Sequence, residues 1–360
     1  CLFDSNRNLQ EVIRGFGNSY ARATKFEYDV DGRIIRVTHP SGDEVYYTYD
    51  SDGRLLEIQS SDHSVHYALE HDNFGNVTEA VNCLNGERVQ RHWDEFGRLE
   101  KEIFPNGRSL KFTYASDSNF LTNIDMGESG YISYQLVDQG AFNVSRCAAS
   151  GEVLYDHTYQ INSEKELIIE RLPYGFGYAR TQVSPKKCEY QRYSSKSRYG
   201  IRACHDTVIR QCNESAKIYD LDDRGYLSAG VDLDSLGNPT GAEVNDFNEL
   251  LTLGEIRCKY DLNGNLIEKR SPRGTYCYQY DALNRLIAVT TPKSQLSFTY
   301  DAFNRRMTKR VDSRGKCRTE GYIYAWESEI GVTSGTGGLV ALRVPGLSIH
   351  ANVVSPIAIE

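Results

Sequence analysis

The sequence predicts an all-β protein in which antiparallel hairpins repeat along one long sheet. A short unit with an aromatic residue, Asp and Gly returns every 20 to 22 residues in much of the 360-residue chain. Such self-similarity at a fixed period is typical of a repeat architecture. Between units lie β-branched and aromatic runs and a second turn with Gly or Pro. Two strands and two turns therefore fill each period, which leaves no room for a helix.

The repeated unit is first clear at Tyr28-Asp29-Val30-Asp31-Gly32-Arg33-Ile34. Asp at the first turn position and Gly at the fourth are preferences of a type I turn. The carboxylate accepts hydrogen bonds from backbone amides two residues on, and Gly adopts positive φ where the next strand leaves. Asn stands in place of Gly at 248, 284 and 304, and Asn is the non-glycine residue that best tolerates this backbone region.

This pattern predicts a set of structural turn residues and assigns them no chemistry. The set is Tyr28, Asp29, Gly32, Tyr49, Asp50, Gly53, Asp72, Gly75, Trp93, Asp94, Gly97, Tyr260, Asp261, Gly264, Tyr280, Asp281, Asn284, Tyr300, Asp301 and Asn304.

Eleven units of the form Asp/Asn-x-x-Gly/Asn occur at the position of this turn in the repeat. They begin at 29, 50, 72, 94, 222, 234, 245, 261, 281, 301 and 312. Two residues after the Gly/Asn position, eight of them have an aliphatic residue: Ile34, Leu55, Val77, Leu99, Leu227, Leu250, Leu266 and Leu286. Each unit is thus predicted to join an aromatic strand end to an aliphatic strand start. A degenerate turn of this kind is expected at Asp4.

The chain divides into four segments according to how clearly the repeated turn can be recognised. Repeat turns occupy residues 1–114 and 219–320, while residues 115–218 are expected to continue the same sheet with degenerate repeats. Residues 321–360 keep strand-like runs but change sequence. The chain opens on Cys1 without an initiator Met, so we expect it to be a fragment.

Composition excludes several classes of function. The net charge is −8 and no block of Lys and Arg offsets it locally, which argues against nucleic-acid binding. No apolar run approaches the length of about 18 residues needed for membrane insertion. Nine Cys follow no regular spacing, so we expect reduced, part-buried thiols rather than a disulfide framework.

Several residues invite a chemical interpretation. The repeated Asp residues could be paired catalytic carboxylates, but their place in a turn signature favours capping. A calcium loop would need Glu at its twelfth position, where this chain has Pro40 and Ser61. Neither His63, His66 and His71 nor Cys204-His205 with Cys212 has metal-ligand spacing. We therefore expect no catalytic residue, no metal and no cofactor.

Two further features are expected to be structural. The Gly-rich stretch 334–338 lacks the Gly-Lys-Ser/Thr of a phosphate loop and precedes a strand, which favours a hairpin turn. A tyrosine ladder could stack on sugars, but cross-strand packing in a sheet that is wet on both faces is the favoured interpretation. Its members are Tyr46, Tyr47, Tyr49, Tyr278, Tyr280 and Tyr300.

In series, Y-D-x-x-G-R-L resembles the YD repeat of bacterial Rhs proteins and of the teneurin YD shell. The clear matches cover residues 28–114 and 219–326. The tail resembles the start of the Rhs-associated core at Tyr322-Ile323-Tyr324, Glu329-Ile330-Gly331 and Leu342-Arg343-Val344. The resemblance implies a long antiparallel sheet that curls into a hollow shell, of which this chain would be a part.

The resemblance also implies a function. In bacteria such a shell often houses a C-terminal toxin, so the expected role is a non-enzymatic wall around an intramolecular effector domain. The parent protein is expected to be secreted or on the cell surface. Some Rhs proteins cleave themselves beside an Asp-Pro dipeptide, which this chain lacks, so that activity is not transferred. The alternative is a teneurin-like adhesion module that binds carbohydrate.

Overall fold

The computed structural model describes residues 1–15, 17, 21–138, 141–161, 167–171, 177–184, 187–193, 202–203, 217–220, 238–239, 241–345 and 356–359. Among these residues every regular element is a β-strand except one 3₁₀ turn at Gly127–Ser129. The described strands form two antiparallel sheets, of 19 and 13 strands. The predicted all-β fold of antiparallel hairpins is confirmed.

The strands are numbered in chain order. The first part of the chain has β1 (Leu2–Phe3), β2 (Leu9–Arg14), β3 (Arg22–Tyr28), β4 (Ile34–Thr38), β5 (Glu44–Tyr49), β6 (Leu55–Ser60), β7 (His66–His71), β8 (Val77–Asn82), β9 (Arg88–Trp93), β10 (Leu99–Ile103) and β11 (Ser109–Tyr114). The middle has β12 (Leu121–Asp125), β13 (Tyr131–Asp138), β14 (Ala141–Cys147), β15 (Val153–Ile161), β16 (Leu167–Arg171), β17 (Gly177–Ser184), β18 (Lys187–Tyr193), β19 (Arg202–Ala203) and β20 (Lys217–Asp220).

The last part has β21 (Ala242–Val244), β22 (Leu250–Leu253), β23 (Ile256–Tyr260), β24 (Leu266–Ser271), β25 (Gly274–Tyr280), β26 (Leu286–Thr290), β27 (Gln295–Tyr300), β28 (Arg306–Ser313), β29 (Lys316–Ala325), β30 (Ser328–Ser334), β31 (Leu339–Pro345) and β32 (Pro356–Ile359).

The chain divides into two compact units. Unit 1 consists of Cys1–Gln90 and Val231–Glu320, and unit 2 of Arg91–Gly230 and Gly321–Glu360. In unit 1, strands β1 to β8 pair antiparallel in chain order. Strands β21 to β28 do the same. Consecutive pairing follows from the short turns, which return each strand beside its predecessor.

The core of unit 1 draws on both of its segments. Its buried residues are Val45, Ile58, Val65, Tyr67, Leu69, Ala80 and Ala282, with Leu283, Ala302 and Phe303 packed against them. The contributions from 282–303 come from the tips of two repeat turns, and they cover one face of β5 to β8. The expectation of a sheet wet on both faces is therefore wrong for this part of unit 1.

Unit 2 has a core of its own. Phe112, Ile124, Ile132 and Val144 are almost completely buried on β11 to β14. These strands pair antiparallel in chain order, so the hairpin pattern continues from β11 to β14. The ring of Trp326 packs on Phe112 with centroids 4.9 Å apart, which joins the 321–360 segment to this core.

Two expectations need correction. Asp312 does not begin a repeat turn, because it lies inside β28. The chain instead reverses through Arg314 and Gly315, whose φ values are 52° and 72°, as in a two-residue hairpin loop. The thiols are less buried than expected, since Cys1, Cys83, Cys277 and Cys317 are exposed. The units predicted to begin at 222 and 234 lie outside the described residues.

Candidate functional site

The repeated turn is held by both oxygens of its Asp. In the first clear copy, Asp29 Oδ1 accepts hydrogen bonds from the amides of Asp31 and Arg33, both at 2.9 Å. Asp29 Oδ2 accepts a 2.6 Å bond from Arg33 Nε. The Gly32 amide donates to the Asp29 carbonyl at 3.2 Å, and the ladder shifts register at Tyr28. This is a type I turn followed by a bulge whose left-handed residue is Gly.

The same geometry recurs along the chain. Arg or Asn four residues after the Asp donates to its Oδ2 in the pairs Arg98–Asp94 (2.7 Å), Arg285–Asp281 (2.7 Å), Arg305–Asp301 (2.8 Å), Asn76–Asp72 (2.9 Å) and Asn265–Asp261 (3.0 Å). Asn8 donates likewise to Asp4 at 3.1 Å, and Arg54 lies 3.7 Å from Asp50. A carboxylate that is engaged on both oxygens stabilises the turn through charge-assisted bonds.

The fourth residue of each turn has a left-handed backbone. Its φ is 80° at Gly32, 84° at Gly53, 89° at Gly75, 73° at Gly97, 93° at Gly264, 61° at Asn248, 59° at Asn284 and 65° at Asn304. At Asp4 the equivalent residue is Arg7, with φ of 68°. Substitution by a β-branched residue is therefore strained at every copy.

A Tyr at the end of a strand links consecutive repeats. Its hydroxyl donates to the backbone carbonyl of the aliphatic residue that starts an earlier strand. The pairs are Tyr28–Leu9 (2.8 Å), Tyr49–Ile34 (2.8 Å), Tyr114–Leu99 (3.0 Å) and Tyr300–Leu286 (2.8 Å). The Tyr and the aliphatic residue lie 14 to 19 residues apart, so each bond joins neighbouring turns.

Hydrogen bonding shifts the pKa of several turn carboxyls. The Arg33 amide bond is the main cause that lowers the pKa of Asp29, and the Arg54 amide does the same for Asp50. The Asn76 side-chain bond lowers the pKa of Asp72. These bonds favour the ionised form, so each carboxylate is a weaker base than a free Asp.

Arg285 connects the later repeats of unit 1 to the earlier ones. Its Nη2 donates a 2.8 Å bond to the hydroxyl of Tyr67, while its Nε binds Asp281. The guanidinium also lies 4.9 Å from the ring centroid of Tyr300. The Tyr67 hydroxyl in turn donates to the Tyr300 carbonyl at 2.9 Å. Burial raises the pKa of Tyr67 to about 12, so the phenol stays protonated and can donate.

Four more contacts in unit 1 run in the same order along both segments, and together with the Arg285–Tyr67 bond we call this series the seam. Arg22 binds Glu249 (3.2 Å), the Ser41 amide binds Asn263 Oδ1 (3.1 Å), Ser64 Oγ accepts from the Ala282 amide (2.8 Å), and Asn82 Nδ2 binds the Tyr300 carbonyl (3.2 Å). Each repeat turn from 245 to 301 thus meets one successive hairpin of residues 22–82. The match of two repeat spacings holds the two sheet segments in one register.

In unit 2, the turn between β10 and β11 contacts the later turn between β30 and β31. Arg108 Nε donates to the Gly337 carbonyl at 2.7 Å, and Asn106 lies 3.5 Å from the Thr333 hydroxyl. The stretch 334–338 is a hairpin turn between β30 and β31, because the Ser334 amide donates to Gly338 and the Gly337 amide to Ser334. The predicted hairpin there is confirmed, and its tip is the part that meets Arg108.

Other candidate residues have ordinary roles. His66 Nε2 lies 2.7 Å from Glu57 on the neighbouring strand, and Cys204, His205 and Cys212 are outside the described residues. No group of three or more His, Cys, Asp or Glu in the described ranges is placed to hold a metal. Within the same ranges no helix has the length and apolar character needed to cross a membrane.

Sequence reasoning placed the turn residues but missed their partners. No sequence pattern marks Tyr67, Ser64 or Asn82, which lie at ordinary strand and turn positions in the first segment of unit 1. Arg285 was visible only as part of the repeated motif. The one available signal was the Arg or Asn that follows the Gly/Asn position, and its recurrence indicates a bond back to the Asp.

Family comparisons agree with the repeated geometry. The Teneurin YD-shell family model matches residues 1–84, and the RHS Repeat model matches residues 260–296 and 280–316. Teneurin-1 of Gallus gallus is 28% identical over 190 residues, which is 50% of this chain and 6% of that protein. Teneurin-1 of Homo sapiens is 28% identical over 155 residues, 42% of this chain and 5% of that protein. The chain therefore spans about one-twentieth of these relatives' length.

Solved structures of low sequence identity also align. The crystal structure of TcdB2-TccC3-TEV gives a TM-score of 0.41 at 12% identity, over 97% of this chain and 20% of that one. The Tc holotoxin pore of Photorhabdus luminescens gives 0.41 at 12% identity, over 98% and 19%. A TM-score of this size does not establish a shared function. The two family matches, the teneurin relatives and the recurring Tyr-Asp turn support an Rhs/YD-repeat family for this chain.

Proposed function

We propose that this chain is a non-enzymatic wall segment of an Rhs/YD-repeat shell that encloses or presents a C-terminal effector domain. The observation that carries the proposal is the seam of unit 1. Successive hairpins of residues 22–82 meet successive turns of residues 245–301, so the two sheet segments are held in one register. A wall needs such contacts because a curved sheet that must exclude solvent or retain a cargo has to be closed between its segments.

The state of the repeated Asp residues supports a structural role over a catalytic one. In the first copy, Oδ1 of Asp29 accepts two backbone amides and Oδ2 accepts the guanidinium of Arg33. A general base needs an accessible lone pair and a pKa near the working pH. The turn carboxyls have neither, because their oxygens are engaged and the shifts at Asp29, Asp50 and Asp72 lower the pKa.

In this proposal, the biological role of the chain is to help enclose an effector domain. The wall keeps an attached C-terminal effector, a toxin in a bacterial parent, shielded until delivery. A parent protein that acts outside its own cell would be secreted or displayed on the surface.

The parent protein provides the test. Its C-terminal domain should resist limited proteolysis in the intact parent and become sensitive when the seam is opened with Arg285→Gln and Tyr67→Phe together. Arg54→Gln, in a repeat turn that is less buried than the one at Arg285, is the matched control and should leave the protection intact. A C-terminal domain that is cleaved equally fast in the intact parent and in isolation would overturn enclosure.

The alternative is a teneurin-like module that binds carbohydrate at the cell surface. It requires tyrosine rings that are free to stack on sugars. Tyr49 and Tyr300 donate to backbone carbonyls and face Arg33 and Arg285, with guanidinium-to-centroid distances of 5.2 and 4.9 Å. These two rings are engaged within the wall. Tyr278 is different, because it lines an open groove.

A further inference from the structure

The seam uses only one end of the strands in each segment of unit 1. It joins the hairpin turns of residues 22–82 to the repeat turns of residues 245–301. Turns alternate between the two ends of the strands, so each segment has a second set of turns at its far end. These sets are the repeat turns of residues 29–76, which we call the turn edge, and the hairpin turns of residues 271–294, which we call the hairpin edge.

The turn edge presents uncovered side chains at its tips. Val30 and Phe74 are 100% and 90% exposed, and the side chains of Asp31 and Asp52 are 65% and 63% exposed. Phe74 has the same position in its turn as Phe303, which packs against the core of unit 1. The turn edge therefore carries tips of the kind that are covered in the second segment, but here they face solvent.

The hairpin edge carries a surface of the kind that covers such tips. On β5 and β7 the residue five positions before the repeat Asp is buried in the core that the tips of the second segment complete, and these residues are Val45 and Tyr67. Tyr276 has the same position on β25 but is only half-buried. It lines an open groove of about 450 Å³ together with Lys269 and Arg273. The groove is therefore the uncovered counterpart of the surface at Tyr67.

The charges of the two open edges are complementary. Arg273 and Lys293 follow the Pro of consecutive hairpin turns, and both are exposed without an ion-pair partner among the described residues. Asp31 and Asp52 are the third residues of consecutive repeat turns. Each is bound through Oδ2 by the Arg two residues later, which leaves its other oxygen without a partner in the described part of the chain. Both pairs of charges are two strands apart, or roughly 10 Å along the sheet.

The seam shows which positions meet when the two kinds of edge dock. Ser41 follows the Pro of its hairpin turn, and its amide binds Asn263, the third residue of a repeat turn, at 3.1 Å. The same match on the open edges places the carboxylate of Asp31 at Arg273, and the next match falls one repeat later along both edges. Carboxylate and guanidinium groups that meet in this way form charge-assisted hydrogen bonds.

A second contact of the seam selects the same register. Arg285, the fifth residue of its repeat turn, donates to the Tyr67 hydroxyl at 2.8 Å. With the repeat turn at Asp29 on the hairpin turn before β25, the corresponding residues of the open edges are Arg33 and Tyr276. The Tyr276 hydroxyl can accept a hydrogen bond from a guanidinium, as the Tyr67 hydroxyl does. Two positions therefore predict the same pairing of turns.

We propose that unit 1 binds a second copy of this chain by docking the turn edge of one molecule onto the hairpin edge of the other. Charge complementarity and continuity with the seam select this partner, because one chain carries both halves of the contact. The two edges are different surfaces, so the contact is heterologous and every assembly keeps one open edge of each kind. The contact is independent of enclosure, because a wall that stays monomeric can still shield an effector domain.

Sedimentation velocity of the 360-residue chain over a concentration series of about 1 to 100 µM tests the contact. The weight-average sedimentation coefficient should rise steadily with concentration, since a heterologous contact does not stop at a dimer. It should return toward the monomer value in about 1 M NaCl, where the Debye length is about 3 Å. Asp31→Asn with Asp52→Asn, or Arg273→Gln with Lys293→Gln, should weaken association at least about tenfold, because each pair removes the charges of one edge.

A mixture of the two double variants gives the sharpest result. Each variant keeps one unaltered edge, so the mixture should bind with the affinity of the unaltered chain and stop at a one-to-one dimer. Lys259→Gln with Arg270→Gln is the matched control. Both cations pair with Glu268 on the opposite face of the same meander, so their loss should leave association unchanged.

An unaltered chain that stays monomeric throughout the concentration series would overturn the proposal. So would a mixture that associates no more tightly than either variant alone, or an equal weakening in the control. A dimer that does not grow at higher concentration would also contradict it, since a symmetric contact is then the better assignment. The substituted side chains are exposed, so the circular dichroism and the urea midpoint of each variant should match those of the unaltered chain.

Discussion

The guanidinium of Arg285 donates a 2.8 Å hydrogen bond to the hydroxyl of Tyr67, which lies 218 residues earlier in the chain. The same guanidinium is paired with Asp281, and both side chains are buried. Loop closure over so long a separation has a large entropic cost. The contact is one member of the seam, so we expect the neighbouring turn contacts to share this cost with it.

Arg285→Gln should destabilise unit 1 strongly. The Arg285 and Asp281 side chains are 7% and 1% exposed, and removal of one partner leaves a buried charge, which costs about 3–5 kcal/mol. The matched control is Arg54→Gln, where the two side chains are 26% and 25% exposed and the pair is worth about 0–1 kcal/mol. Urea denaturation measures both, and equal losses would contradict the difference in burial.

Gly53→Val should cost about 1–3 kcal/mol, because a β-branched residue is strained at positive φ. The φ of Gly53 is 84°, and an added Cβ would also come within 2.8 Å of Arg33 Nη1. Gly53→Asn is the control and should cost less, since Asn occupies the same position at 284 and 304 with φ of 59° and 65°. Thermal melts that rank the two variants equally would show that the backbone conformation is not the cause.

Tyr49→Phe should cost about 1 kcal/mol, because the Ile34 carbonyl loses its hydrogen bond from the hydroxyl in a half-buried site. The control is Tyr46→Phe on the same strand. The Tyr46 hydroxyl binds Glu44 at an exposed position, so its loss should stay within about 0.5 kcal/mol. If both variants unfold at the same urea concentration, the link between consecutive repeats contributes nothing.

Acid should weaken the fold through the turn carboxylates. The folded-state pKa values of Asp29, Asp50 and Asp72 are lowered, mainly by hydrogen bonds from the Arg33 amide, the Arg54 amide and the Asn76 side chain. A lowered folded pKa gives stability that is complete above the unfolded pKa of about 3.9 and is lost as pH falls through the folded value.

The urea midpoint should therefore be steady from neutral pH to about pH 5 and fall below about pH 4. Asp50→Asn should lower the midpoint at pH 7 and reduce the size of the fall in acid, because one titrating group is removed. A variant that keeps the full acid dependence of the parent would show that Asp50 contributes no linkage.

The turns could be predicted because their contacts are local. Every bond that fixes the Asp29 turn joins residues within the five positions from Asp29 to Arg33, so the pattern alone contains the information. The same locality explains the error at Asp312. The spacing of Asp and Gly was met there, but Arg314 and Gly315 form a tighter turn that places Asp312 inside a strand.

The seam could not be predicted because its partners are far apart in sequence. An Arg follows the turn at both 54 and 285, yet only Arg285 is buried. Apolar residues at the turn tips do not by themselves predict which tips are buried. Ala302 and Phe303 pack into the core of unit 1, whereas Phe74, at the same turn position as Phe303, is 90% exposed. Hydrophobicity at a tip therefore does not reveal whether another segment covers it.

Native-state hydrogen exchange of the 360-residue chain, followed by peptide mass spectrometry at increasing urea, tests the seam most directly. If the seam joins the two segments of unit 1, amides of β5 to β8 and of β25 to β28 should open with one common free energy. That value should fall equally in both segments in Arg285→Gln and remain unchanged in both in Arg54→Gln. Two separate opening free energies, with Arg285→Gln affecting β25 to β28 alone, would contradict a wall locked by its repeat turns.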